Sequence, residues 1–504
     1  MGEKSMQLTK LLADVIYKNP DNHNLEDIDI AYVVYDSRKA TFDTVFVCIT
    51  GAVHDGHDFA QSAYNKGCRV FVCEHEVDLP EDAIILLVSN ARIALARLSA
   101  TLFGYPAEKL SIIGITGTKG KTTTAHLIAQ ILTKAGYRAA YIGSNGISFG
   151  NAHYPTTNTT PESYDLHYYF NKMVNAKVQY VVMEVSSQAL YHFRVYGIKF
   201  SICVFTNLSP DHIGGIEHPT FSHYKNCKIS LFRDYGCECI VYNADDPHHR
   251  DMIKNTGVVT RSFALRENAD FSASDINLLK ENGHLGVSFV MHTVTENLRV
   301  ELYLPGEFNI YNALAAVAVC RHLGIGYSTM LSTLKSASIR GRLEVIPALL
   351  YCTFIIDYAH NEVSLRSVLT ALRQYNPTRL ICLFGSVGGR TKMRRAKLGK
   401  VASELADFSI LTSDNPDFEA PENIINDIAR AFPENSNAYI KIPDRAEAIK
   451  YAVENAAPGD IVLLAGKGHE EYQLIEGKKI RMNEKELLIK YAMEFSEEIG
   501  AIIP

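Results

Sequence analysis

The chain has 504 residues, which at roughly 100–200 residues per domain predicts about three domains. Hydrophobic residues make up 47% and charged residues 21%, and mean hydropathy is −0.04; this balance supplies several apolar cores and excludes a disordered chain. A net charge of −6 argues against a broad nucleic-acid or anionic-membrane surface and leaves room only for a local basic pocket. No apolar run approaches the roughly 20 residues of a membrane helix, and the opening MGEKSMQLTK lacks the apolar stretch of a secretion signal. It also lacks the myristoylation pattern, since Met6 stands where Ser or Thr is needed. None of the ten cysteines forms a CxxC pair, so reduced core thiols in a cytoplasmic protein are expected.

In chain order, Tyr32–Tyr35, Thr44–Ile49, Val70–Cys73 and Ile84–Val88 read as strands of a first α/β domain, 1–108, closed by the loop Phe103-Gly-Tyr-Pro106. A second domain, 109–341, opens on the apolar run Ser111–Thr116, and a third, 342–504, begins at Arg342. In both, apolar runs of four to six residues alternate with helix-length amphipathic segments. That rhythm predicts βαβ units and mostly parallel sheets.

Polar clusters follow these strands. Thr116 leads into Gly117-Thr-Lys-Gly-Lys-Thr-Thr-Thr124, Met183 into Glu184, and Thr206 into Asn207, Asp211 and His212. Ile356 leads into Asp357-Tyr-Ala-His-Asn361, Phe384 into Gly385-Ser-Val-Gly-Gly-Arg390, Thr412 into Asp414-Asn-Pro-Asp417, and Ala465 into Gly466-Lys-Gly-His-Glu470. Open α/β sheets bind ligands at the carboxyl ends of their strands, so these clusters are the candidate site.

Gly117, Thr118, Lys119, Gly120, Lys121, Thr122 and Thr123 read as a phosphate loop. Glycines let backbone N–H groups approach phosphate oxygens, a helix from Thr122 to about Ala135 adds its positive end, and Lys121 reaches the terminal phosphates. Thr122 is placed to offer its hydroxyl to Mg²⁺. The loop departs from the full pattern at Ile115, where glycine is usual. A plain Gly-rich turn is the bland alternative; strand, glycines, Lys-Thr and helix in order speak against it. Glu184 ends an apolar strand, where a carboxylate is costly without a cation, so a metal or water-positioning role is expected. Read alone, Lys228 is a solvated helix lysine.

Together, GTKGKTTT, Glu184-Val-Ser-Ser, Asn207-Leu-Ser-Pro-Asp-His212, Gly306-Glu-Phe-Asn309 through Asn312-Ala-Leu-Ala, Asp357-Tyr-Ala-His360 and Asp414-Asn-Pro resemble the Mur ligase family over essentially the whole chain. Asp36-Ser-Arg38 and Gly466-Lys-Gly-His-Glu470 are most similar to its members that add the third peptide residue. The resemblance implies three α/β domains: an N-terminal UDP-binding domain, a central parallel sheet with the phosphate loop, and a C-terminal Rossmann-like domain for the incoming amino acid. It implies ATP and Mg²⁺ as cofactors, and UDP-MurNAc-L-Ala-D-Glu and a diamino acid as substrates in peptidoglycan precursor synthesis. The catalytic set it implies is Lys121, Glu184, His212 and Lys228, with Lys228 carbamylated and joining Thr122, Glu184 and His212 as metal ligands; a carbamate supplies the oxygen donors Mg²⁺ prefers. Asn309, Arg342, Asp357 and His360 resemble further ATP contacts. Ser37, the Ala52-Val-His54 turn, Thr159, Thr160, Ser186, His192 and Arg194 resemble the UDP-substrate contacts, and Arg390, Asp414, Asn415, Gly466 and Glu470 the amino-acid contacts.

Gln188 stands where the family often has His, and Glu362 replaces the proline of DYAHNP; neither is a ligand in the family's pattern. Asp417 matters more. Members specific for meso-diaminopimelate commonly show DNPR, whose arginine pairs with the distal carboxylate. An acid there repels a carboxylate and attracts an ammonium, which favours L-lysine or a similar diamino acid; the alternative is that Asp417 faces solvent and Arg394 or Arg395 makes the contact. A folylpolyglutamate-synthase-like ligase is disfavoured by residues 1–108, and a non-catalytic UDP-peptide-binding protein by the intact Lys121, Thr122, Glu184, His212 and Lys228. A generic phosphate-loop kinase leaves the third domain unexplained. A cytoplasmic monomer, with no nucleic-acid partner and no membrane insertion, is expected.

Overall fold

A computed structural model describes residues 5–51, 54–211, 213–214, 217–281, 283–389, 392–434 and 436–499. The chain divides into two compact units, Met1–Phe271 with Ala315–Gly326, and Ser272–Leu314 with Tyr327–Pro504.

The first unit begins with a four-stranded parallel sheet in the order Tyr32–Val34, Thr44–Val47, Val70–Cys73, Ile84–Leu87. Thr44–Val47 and Val70–Cys73 are buried throughout, as expected of parallel strands covered on both faces. The helix Ala91–Leu102 starts where the Asn90 side chain accepts the Ile93 N–H, a cap worth about 1 kcal/mol. Its Leu95 and Leu98 pack into the core with Val33, Val45 and Val70.

The larger sheet of this unit runs Ala152–Tyr154, Gly146–Phe149, Ala139–Gly143, Tyr180–Glu184, Ser111–Thr116, Phe200–Phe205, Cys237–Asn243, Val259–Ala264. Its six central strands are parallel, and the two at one edge form antiparallel pairs. Ser111–Thr116 lies between Tyr180–Glu184 and Phe200–Phe205, with Ile115 opposite Glu184 and Thr116 opposite Phe205. The polar residues leaving these three strands therefore meet at one edge, where the order switches direction. Phe170, Met183, Phe200 and Phe205 fill the core beneath; truncating Phe205 to Ala there would cost about 3–5 kcal/mol.

In the second unit the sheet order is Glu344–Ile346, Thr353–Asp357, Ile461–Ala465, Leu380–Phe384, Phe408–Leu411, Tyr439–Lys441. All but the first strand are parallel, and Asp357 lies opposite Ala465 at the carboxyl edge. The helix Glu362–Arg373 packs Leu365, Leu369 and Leu372 against one face.

The α/β class with mostly parallel sheets is the class expected. A departure from strand–helix alternation is 271–302, which holds the strands Phe271–Glu281, His284–Thr293 and Asn297–Leu302 with no helix between them. Leu285, Val287, Phe289 and Met291 alternate along the middle strand and are buried, the period of two of a β-ribbon. Among the described residues no helix is long and apolar enough to cross a membrane.

Candidate active site

The phosphate loop turns at Gly117, whose φ of 150° is rarely adopted by other residues. A Cβ there would also collide with Thr206 Oγ1. The loop is fixed from the neighbouring strand end: Asn207 Oδ1 accepts the Lys119 N–H at 2.9 Å, while Thr206 Oγ1 and Asn207 Nδ2 donate to the Lys119 carbonyl at 2.7 and 3.0 Å. Thr118 Oγ1 meets Tyr224 Oη at 3.1 Å. Gly120, at φ 86°, precedes the helix Lys121–Lys134, which ends before Gly136 at φ 92°. Lys121 Nζ folds back onto the carbonyls of Gly117 and Thr118 at 2.9 and 3.2 Å. The helix N-terminus and Lys121 thus lie together at the loop, the kind of place that favours a bound anion.

Glu184 is 1% exposed. Its Oε1 accepts from Tyr141 Oη at 2.6 Å and the Ser144 N–H at 3.0 Å, and its Oε2 accepts from Thr122 Oγ1 at 3.1 Å. Gly143 is required for this approach, because a Cβ would strike Glu184 Oε1 and Tyr141 Oη. A buried carboxylate and a hydroxyl side by side are the oxygen donors Mg²⁺ prefers. Of the other two expected ligands, His212 lies outside the described residues.

Lys228 occupies the helix Phe221–Arg233 and is 1% exposed. Nζ donates to the Gly117 carbonyl at 2.9 Å and sits 4.6 Å from the centre of the Tyr224 ring. Burial, reinforced by the Lys121 charge, holds its pKa well below the usual lysine value. The sequence alone read this residue as a solvated helix lysine; it is a core residue.

Beside Glu184, Thr160 Oγ1 donates to the Glu184 carbonyl at 2.9 Å and accepts the Ser186 N–H at 3.1 Å. Ser186 Oγ caps the helix Ser187–Tyr191, and Thr159 Oγ1 meets Ser144 Oγ at 3.0 Å. Arg194 reaches the Thr160 carbonyl at 3.2 Å and pairs with Glu162 at 2.8 Å; Glu162 also meets Arg92 at 3.4 Å. His192 is held at about 4 by burial and by the charges of Arg92 and Arg194, so its ring is neutral at pH 7. The structure thus brings Thr159, Thr160, Ser186, His192 and Arg194 to one rim. Ser37 lies in the turn Ser37–Lys39 after the first strand, capped by Asp36; Ala52 and Val53 lie outside the described residues.

In the second unit, Asp357 Oδ1 and Oδ2 accept the Ala359 and Leu343 N–H groups, both at 2.8 Å. Burial raises its pKa against the opposing pull of Arg342, whose guanidinium stacks 4.8 Å from the Tyr358 ring centre. His360 Nδ1 donates to the Tyr358 carbonyl at 2.8 Å. Asn309 donates to the Pro305 carbonyl and accepts from Asn312 at 2.7 and 2.9 Å.

Asp414, Asn415, Gly466 and Glu470 meet around Lys467, which is 0% exposed and is a residue the sequence did not single out. Its Nζ lies 2.8 Å from Asn415 Oδ1, 2.5 Å from Glu470 Oε2 and 3.6 Å from Asp414 Oδ1. Burial raises Glu470, but Lys467 and Asn415 outweigh it and hold the carboxyl below its usual range. Asp417 adopts φ 52°, and its Oδ1 accepts the Gly477 N–H at 2.8 Å. Arg395 is committed elsewhere, with Glu419 at 2.6 Å and Asp427 at 3.0 Å, and Arg390 lies outside the described residues. Tyr141, Ser144, Arg92 and Glu162 are further site residues the sequence reading missed.

These features define a phosphate-binding α/β enzyme. Comparison with known proteins narrows that class: 29–101 match the Mur ligase family catalytic domain, 115–320 the Mur ligase middle domain, and 341–468 the Mur ligase glutamate ligase domain. The chain belongs to the Mur ligase family and is an ATP-dependent ligase joining an acid to an amino acid. It is 38% identical over 470 residues, 92% of this chain and 95% of the relative, to the UDP-N-acetylmuramoyl-L-alanyl-D-glutamate–2,6-diaminopimelate ligase of Clostridium perfringens. It is 37% identical over 498 residues, 97% and 100%, to the ligase of that name from Bacillus licheniformis. A solved structure of an enzyme so described matches with TM-score 0.69 at 27% identity, covering 99% of this chain and 100% of that one. A Mycobacterium tuberculosis folylpolyglutamate synthase shares the fold alone, with TM-score 0.59 at 15% identity, covering 82% of this chain and 96% of that one.

Proposed function

We propose that this enzyme joins a diamino acid to the D-Glu residue of UDP-MurNAc-L-Ala-D-Glu in the cytoplasm, through an acyl phosphate. The observation that carries this reading is the phosphate loop with Lys121, the Thr122–Glu184 oxygen pair and buried Lys228 gathered at one sheet edge. A γ-carboxylate oxygen of D-Glu attacks the γ-phosphorus of ATP, and ADP leaves. The amine then attacks the acyl carbon, a C–N bond forms, the C–O bond to phosphate breaks, and the amine gives up a proton. Lys121 stabilises charge on the transferring phosphoryl group. When bound, Mg²⁺ neutralises phosphate charge; Thr122 and Glu184, with His212, are the residues to hold it. Burial lowers the basicity of Lys228; the neutral amine is the form that adds CO₂ to give a carbamate and one proton, and a carbamate supplies the oxygen donors Mg²⁺ prefers.

The relatives' names point to 2,6-diaminopimelate. Asp417 favours a tail that ends in an ammonium without a carboxylate, as in L-lysine, and Arg394 is the cation left to read a distal carboxylate. Asp417 keeps one carboxylate oxygen beyond its bond to Gly477, and Arg395 is neutralised by two acids. Phosphate release with UDP-MurNAc-L-Ala-D-Glu and L-lysine, L-ornithine or meso-diaminopimelate tests both parts of the proposal. No release with any of the three would refute the ligase reading, and a preference for meso-diaminopimelate would refute only the choice of amino acid.

A further inference from the structure

Beside the phosphate loop, on and just before the helix that carries Lys228, His218, His223 and Cys227 place three ligand atoms within 4.8 Å of one another. His223 and Cys227 are four residues apart on the helix Phe221–Arg233 and so share a face. His218 comes from the segment before it and is fully buried. The Nδ1 atoms of the two histidines are 2.9 Å apart, and Cys227 Sγ lies 3.7 Å from His223 Nδ1 and 4.0 Å from His218 Nδ1.

We infer that this cluster is a binding site for a borderline-soft divalent ion of the zinc type. A tetrahedral zinc with Zn–N near 2.0–2.1 Å and Zn–S near 2.3 Å sets its ligand nitrogens about 3.3 Å apart and N and S about 3.6 Å apart. The cluster needs adjustments of under half an ångström to reach those spacings. Without metal, the 2.9 Å contact holds one proton between two Nδ1 atoms. With metal, the His218 proton moves to Nε2, where Ser187 Oγ lies 2.9 Å away to accept it and the Gln188 amide, at 3.2 Å, can turn its oxygen. That hydrogen bond is the outer contact which fixes the tautomer of a metal-bound histidine. The thiol loses its proton to solvent, so one proton leaves per ion bound. His223 and Cys227 are part-exposed, which gives the ion an entry path and water as a fourth ligand. The donor set is soft, in contrast to the oxygen donors of Thr122 and Glu184, so the two places select different ions.

The test is titration of the metal-free full chain with Co²⁺, whose thiolate charge-transfer band in the near ultraviolet reports a Co–S bond. The expected result is one equivalent bound with that band, one proton released, and displacement by Zn²⁺. Cys227→Ser should abolish the band, and His223→Gln should weaken Co²⁺ binding by at least roughly tenfold, with circular dichroism showing both variants folded. The Asp55, His57 and His75 group has no sulfur, so cobalt bound there gives no such band. Absence of the band in the folded wild type, or its survival in Cys227→Ser, overturns the inference.

Discussion

Lys228 Nζ donates to the carbonyl of Gly117 at 2.9 Å across a sequence separation of 111 residues. A lysine buried against the first glycine of the phosphate loop, with Lys121 nearby and no carboxylate hydrogen-bonded to it among the described residues, is an expensive arrangement as an ammonium. The carbamate proposed above would remove that cost. Lys228→Ala is expected to lose activity, added bicarbonate to restore none, and a short carboxylate such as acetate to restore a measurable part. Wild-type turnover from Lys228→Ala would contradict this.

Replacing Lys121 with Ala removes the cation proposed to stabilise the transferring phosphoryl group. Turnover should fall by roughly 10³-fold, read as phosphate release at saturating substrates. A variant within tenfold of wild type would mean that the phosphoryl group is held elsewhere.

Tyr141→Phe deletes one of the hydrogen bonds that aim Glu184 and leaves the carboxylate in place. The Mg²⁺ concentration for half-maximal activity should rise by about 10–100-fold, with smaller change in the rate at saturating Mg²⁺. An unchanged Mg²⁺ requirement would separate Glu184 from metal binding.

Asp417 is tested by exchange of charge. An ion pair in this setting is worth about 1–3 kcal/mol after desolvation, or roughly ten- to a hundredfold in kcat/KM between L-lysine and meso-diaminopimelate. Asp417→Asn keeps an acceptor for the Gly477 N–H and should narrow the preference; Asp417→Arg should narrow it further or reverse it. No change in either variant would assign Asp417 to the turn alone.

His167 is 3% exposed, packs edge-on to Phe170 and is held at about 4 by burial. Because the unfolded chain takes up this proton nearer 6.5, stability is complete above about pH 6.5 and falls as pH drops toward 4. At pH 5 the loss from this group is about 2 kcal/mol. Urea unfolding at pH 7 and pH 5 should therefore show a smaller difference in His167→Asn than in wild type.

Much of the fold was legible because apolar runs in parallel sheets are continuous and end on polar residues. The predicted strand Ser111–Thr116 is the observed one, and Val70–Cys73 is found as predicted. The partners of Glu184 were not legible. Tyr141 and Ser144 reach it only because Ala139–Gly143 lies beside Tyr180–Glu184, and strand order is absent from a local pattern. Lys228 was invisible for a related reason: its burial depends on where its helix packs. Asp417 shows the converse, since its charge was evident while its bond to Gly477, 60 residues away, depends on the hairpin Tyr472–Arg481.

Isotope transfer tests the acyl-phosphate route most directly. With UDP-MurNAc-L-Ala-D-Glu carrying ¹⁸O in both γ-carboxylate oxygens, ATP and L-lysine, each phosphate released is expected to carry one ¹⁸O, because the acyl C–O bond breaks when the amine attacks. Unlabelled phosphate, from direct attack of water on ATP, would contradict it.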